Sequence, residues 1–176
     1  PTLAGAMQAL QQELKLSAHI GARSALELKG RGHYLRAGEE TVWIFGSEKR
    51  LPRWFMEYDW KAKIKYSSAK LYTEYSTEGL EAFKEGKLEM RISGDIRAML
   101  ELLSLVPDEQ SIEEAKELML GISNAHPLHV QKMLMLCTSI KAKRLFLLLA
   151  DECGHAWLNK VEQKKIDLGS GVRGLF

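Results

Sequence analysis

The chain has 176 residues, 45% of them hydrophobic, enough for one sizeable domain or two small ones that fold without disulfide staples. Its 25 basic and 23 acidic residues leave a net charge of +2, which excludes binding of nucleic acid or membrane by the surface as a whole and leaves only a local patch for it. Cys137 and Cys153 sit in apolar or helical stretches and read as reduced thiols. The longest apolar run, Leu145 to Ala150, is far too short to span a membrane, and no basic and apolar leader opens the chain, so a cytoplasmic location is expected.

Taken in order, Thr2 is placed to cap a helix whose apolar positions Leu3, Ala6, Met7, Leu10 and Leu14 recur every three or four residues on a Gln-rich segment. That pattern starts almost at Pro1, which leaves room for an upstream domain. A second short helix is expected from Gly21 to Leu28. His33 to Arg36 and Thr41 to Phe45 are short, β-branched and aromatic, and read as a hairpin. Lys61 to Tyr66 alternates charged and apolar residues as a half-buried strand does. Thr77 to Glu85 reads as a short helix, and Lys87 to Ile92 as another alternating strand, for a sheet of about four strands.

Beyond Gly94 the pattern turns helical. Asp95 is the expected cap for Ile96 to Val106, Ser111 opens a capping box with Glu114, Pro127 starts a helix from Leu128 to Thr138, and Ile140 to Cys153 follows. The expected fold is α+β: a small, mostly antiparallel sheet with flanking helices over residues 1–94, then a helical subdomain over 95–176 ending in a flexible tail.

Intact catalytic constellations are missing. Gly169-Ser170-Gly171-Val172-Arg173-Gly174 matches the dinucleotide fingerprint in letters, but no strand precedes it and no helix follows it to hold a pyrophosphate. Gly46-Ser47 followed by Asp59 resembles the opening of a nucleotidyltransferase site. Two-metal chemistry needs a second carboxylate, though, and Lys61 stands where that acid should be. His126, His129, Cys137, Cys153 and His155 lack the spacing of common zinc sites, and Cys137 lies in an apolar run that disfavours the thiolate. Neither a metal nor a cofactor is therefore expected. The charge pattern offers more. Lys61, Lys63 and Lys65 should share one strand face, Lys141, Lys143 and Arg144 cluster at the head of the last long helix, and these six are the candidate contacts to DNA or a protein partner. Glu101, Asp108, Glu109, Glu113, Glu114 and Glu117 form an opposing acidic segment.

Several stretches in order carry a resemblance: Ala4 to Leu10, Gly21 to Leu28 with His33-Tyr34-Leu35, Phe45-Gly46, Leu51 to Phe55, Leu118-Met119, Lys141 to Phe146, Gly154 to Trp157, and Ile166 to Gly171. Together they resemble the AbiEi family, the antitoxin and transcriptional regulator of type IV toxin–antitoxin and phage-abortive-infection systems. The resemblance implies a non-enzymatic, cytoplasmic protein with an N-terminal winged helix-turn-helix that binds the operon promoter and a C-terminal domain that antagonises a nucleotidyltransferase-like AbiEii toxin, with or without direct contact. The opening helices retain at most the end of that winged helix, so antitoxicity is the function expected of this chain. A DNA-binding regulator without a toxin partner is the alternative.

Overall fold

The structure is a computed structural model, and it describes residues 1–31, 39–73 and 77–170. Helix α1 (Leu3–Gln8) is capped as expected, the Thr2 hydroxyl accepting from the Gly5 amide at 3.1 Å. It runs straight into a π-helical stretch, Ala9–Glu13, closed by the Leu14 amide donating to the Ala9 carbonyl at 3.0 Å. The wider π turn shifts the phase of the stripe. Met7 and Leu10 are therefore fully buried while Leu14 is turned outward, 48% exposed.

Strand β1 (His19–Ile20) and helix α2 (Ala22–Leu28) follow, then β2 (Thr41–Phe45), the short helix α3 (Arg53–Glu57), β3 (Lys63–Ser67), β4 (Leu80–Glu85) and β5 (Leu88–Ser93). The first expected hairpin strand, His33 to Arg36, lies outside the described residues. The α+β class holds, but the sheet is mixed and has five strands in the order β3-β2-β1-β5-β4. β1 pairs antiparallel with β2 and parallel with β5, β2 pairs parallel with β3, and β4 pairs antiparallel with β5. Two features displace the expected topology. A two-residue strand, β1, is too short to leave an alternating signal, and the stretch expected as a helix from Thr77 to Glu85 forms β4 instead, joined to β5 through Gly86 at φ +60°.

Because β1 is so short, it leaves most of that edge of β5 without a strand. The Gln-rich face of the first helix takes its place. Gln8 and Gln11 side-chain carbonyls accept from the Glu89 and Arg91 amides at 2.7 and 2.8 Å, while the Gln12 and Gln11 amides donate to the Glu89 and Arg91 carbonyls at 3.1 and 2.9 Å. These side chains extend the ladder, satisfying backbone groups that a sheet edge would otherwise leave to water.

The rest is helical: α4 (Asp95–Ser104), α5 (Ile112–Leu120), α6 (Pro127–Leu136) and α7 (Ile140–Glu152), followed by two short 3-10 turns. Gly94, not Asp95, takes the cap position of α4, and Asp95 instead pairs with Lys29 and Arg31, each at 2.9 Å. Ser111 caps α5 by accepting from the Glu114 amide at 3.3 Å. α4 is buried along all its faces from Ile96 to Leu103 and packs against α2, α5, α6, α7 and β5. Burial on every side makes it the axis of the molecule. One hydrophobic core runs from Met7 and Ile20 through Met99 and Leu103 to Phe146 and Trp157.

Candidate functional site

The six candidate cations do different things. Lys63 is exposed at the start of β3, and Lys65 pairs with Glu109 while its ammonium lies 5.4 Å from the Trp43 ring, its neighbour across the sheet. Lys61 falls before the strand, at φ +57°, and pairs with Asp59 at 2.5 Å. That hydrogen bond holds the Asp59 carboxyl below its usual range. At the head of α7, Lys141 donates to the Ser104 and Val106 carbonyls at 2.9 and 2.5 Å, tying off the end of α4. Lys143 is buried, 3% exposed, and Arg144 donates to the Leu168 carbonyl at 2.7 Å, fastening the tail. Their side chains are committed within the fold.

The Gly46-Ser47 loop and Asp59 do not converge. Gly46 and Ser47 line a cavity of about 310 Å³, whereas Asp59 is in an exposed turn and is not among that cavity's lining residues. Serine 17 holds the loop: its hydroxyl accepts from the Ser47 amide at 2.9 Å and donates to Glu48 at 2.8 Å. Burial alone would raise the Glu48 carboxyl, but hydrogen bonds from Ser17 and Tyr66 keep it below its usual value. Gly46 has no room for a side chain, since a Cβ would stand 2.8 Å from Glu48 Oε2 and 2.9 Å from the Tyr66 hydroxyl.

The histidines and cysteines whose spacing does not fit a zinc site have structural surroundings too. His126 Nδ1 accepts from the Leu128 amide at 3.2 Å as the cap of α6, and the His155 ring donates to the Met119 carbonyl at 2.7 Å. Burial pushes the Cys137 and Cys153 thiols up. Among the described residues no three His, Cys, Asp or Glu side chains are placed to share a metal ion. The described residues also contain no helix long and apolar enough to cross a membrane.

At the floor of the 310 Å³ cavity lies a cluster that the sequence reading missed, formed by His19, Arg97 and Glu101. Glu101 is 1% exposed. One of its oxygens accepts from the Ser93 hydroxyl at 2.6 Å and the Ala22 amide at 3.1 Å; the other lies 2.8 Å from His19 Nε2 and 3.7 Å from Arg97 Nε. Burial by itself would raise this carboxyl, yet His19, Arg97 and Ser93 together hold it below its ordinary value. Arg97 also donates to the Glu78 carbonyl at 2.7 Å and stacks over Tyr72, 4.4 Å from its ring. His19 and Arg97 also line a second cavity of about 400 Å³. A signal was present: Arg97 and Glu101, four apart, are the two charged residues inside the otherwise apolar run Ile96 to Leu103, a position that demands pairing.

A family model described as "Transcriptional regulator, AbiEi antitoxin, Type IV TA system" matches residues 39–175, and one described as "Transcriptional regulator, AbiEi antitoxin N-terminal domain" matches residues 1–37. The chain belongs to the AbiEi antitoxin family. No curated protein and no solved structure was found to match it. In this AbiEi chain the two matched parts share one core. His19 and Ala22 come from the first, Glu101, Ser93 and Arg97 from the second, and β1 of the first lies in the middle of the sheet.

Proposed function

We propose that this chain is the antitoxic part of a non-catalytic regulator that neutralises a nucleotidyltransferase-like AbiEii toxin, and whose full-length form represses its own promoter. The observation that supports the reading is the match to AbiEi antitoxin models over residues 1–37 and 39–175. The reading needs neither cofactor nor metal. Of the six candidate contacts, Lys63 at the sheet edge and Lys61 just before it, the latter paired with Asp59, are the exposed ones that could meet a partner, with Lys65 beside them; Lys141, Lys143 and Arg144 would act through the fold. Growth of cells expressing the neighbouring toxin, with and without this chain, is the test. Rescue is the expected outcome, and failure with both proteins soluble and expressed would remove the antitoxin reading.

A DNA-binding regulator with no toxin partner is a second reading, favoured by the exposed cations at the β3 edge. It predicts affinity for promoter DNA that falls steeply with salt, at a log–log slope of about 0.9 per phosphate contacted.

A further inference from the structure

The 400 Å³ cavity is lined by three cations, Lys15, Arg91 and Arg97, and by one acid, Glu89. Its buried part is formed by His19 and Arg97, while Lys15, Glu89 and Arg91 are exposed. Strand alternation puts Glu89, Arg91 and Ser93 on one face of β5, the face on which the Ser93 hydroxyl meets Glu101 at 2.6 Å. Arg91 and Glu89 therefore stand over the same side of the sheet as the buried His19–Arg97–Glu101 cluster. The Arg97 charge is balanced by Glu101, but Lys15 and Arg91 make no ion pair among the described residues. Lys15 is also strained, at φ +55°, in the left-handed region that glycine enters freely and lysine does not. Backbone bonds on either side hold it there: the Leu14 amide donates to the Ala9 carbonyl at 3.0 Å and the Leu16 amide to the Leu10 carbonyl at 2.9 Å. The Gln11 side-chain amide fastens this loop to β5, donating to the Ala18 and Arg91 carbonyls, both at 2.9 Å. A strained residue that carries an unpaired cation to the wall of a cavity points to a ligand rather than to packing.

We propose that this cavity binds a small phosphorylated polyol, such as a sugar phosphate. Lys15 and the planar fork of Arg91 suit a phosphate group. The Glu89 carboxylate only accepts hydrogen bonds, so it repels the phosphate and suits the hydroxyls of the polyol beside it. A volume of about 400 Å³ exceeds what a bare phosphate ion needs and falls within the range of about 300–1,000 Å³ that small organic ligands occupy. A concave site with an acid between its cations is a poor seat for a duplex backbone, which presents phosphates and no donors at its edge. Lys15 belongs to the part of the chain matched by the N-terminal family model, and Glu89 and Arg91 to the part matched by the second, so the ligand bridges the two and stabilises the folded chain by binding it.

The test is titration calorimetry of the purified 176-residue chain with ribose phosphate, glycerol phosphate, inorganic phosphate and ribose at fixed ionic strength, beside thermal melts with each. At least one of the two esters should bind more tightly than inorganic phosphate and raise the melting temperature, and ribose should do neither. Lys15→Gly and Arg91→Ala should each weaken ester binding about tenfold or more. Lys15→Gly should at the same time hold or raise the melting temperature of the free chain, because glycine takes φ +55° without strain, which separates lost binding from lost folding. Glu89→Ala should weaken the ester but not inorganic phosphate. Neither ester binding at millimolar concentration, ribose binding as well as its phosphate, both cation variants binding like the wild type, an equal effect of Glu89→Ala on ester and inorganic phosphate, or duplex DNA displacing the ester would each overturn the proposal.

Discussion

Glu101 concentrates the strongest residue-level constraints. Its carboxylate is satisfied by a backbone amide, a hydroxyl, the His19 ring and the Arg97 guanidinium, so Glu101→Ala strips a buried partner from His19 and Arg97 and should cost about 3–5 kcal/mol, seen as a lower urea midpoint. The sign of its pH dependence follows from the lowered carboxyl. The contribution is complete above the ordinary value of 4.5, where the unfolded chain is also ionised, and is lost as pH falls through the lower folded value. The urea midpoint of the wild type should therefore fall on acidification below about pH 4.5, and Glu101→Gln should flatten that fall; equal acid profiles for the two proteins would disprove the assignment. Gly21 is tied to the same cluster. A Cβ there would meet Glu101 Oε1 at 2.4 Å and Phe45 at 2.8 Å, so Gly21→Ala should destabilise the chain by displacing the carboxylate.

At the scale of elements, sequence patterns succeeded where capping or turn residues bound a clear apolar pattern, as in α4, α5 and β2, and failed where an element is very short or lies at the sheet edge, as in β1 and β4. α5 and α7 begin at Ser caps, as expected from the sequence for α5, and Ser111→Ala should cost about 1 kcal/mol in thermal or chemical unfolding. β4 misled because it sits at the open edge of the sheet. Leu80 and Phe83 are its half-buried hydrophobics, and their spacing of three mimics a helix. The turn at Gly86 was the better signal. In the first helix the stripe was legible but its last member was not, because the π-helical stretch Ala9–Glu13 shifts the phase before Leu14 is reached. Gln11→Ala should cost about 1 kcal/mol, since it leaves the Arg91 amide and carbonyl to water.

Across the whole molecule, the composition change near Gly94 separates two styles of secondary structure that share one core. Ile20 and Ile92 of the sheet and Met99 and Leu103 of α4 belong to the same buried cluster. A fragment of residues 1–94 should accordingly show no cooperative thermal transition, because it would expose the face that α4 covers; a sharp transition would mark it as an independent domain. The candidate cations illustrate the same limit. Charge clustering in the sequence is one-dimensional, and packing turned half of the six inward, to helix ends and the tail.

By itself the sequence determined the α+β class, the helical second half, most helix starts and the family, because these depend on local periodicity, capping chemistry and residue order. Only the tertiary structure decided the five-stranded mixed order, the glutamine side chains completing β5, and the His19–Arg97–Glu101 cluster. Those depend on groups such as His19 and Glu101, 82 positions apart in the chain, whose meeting no local pattern encodes.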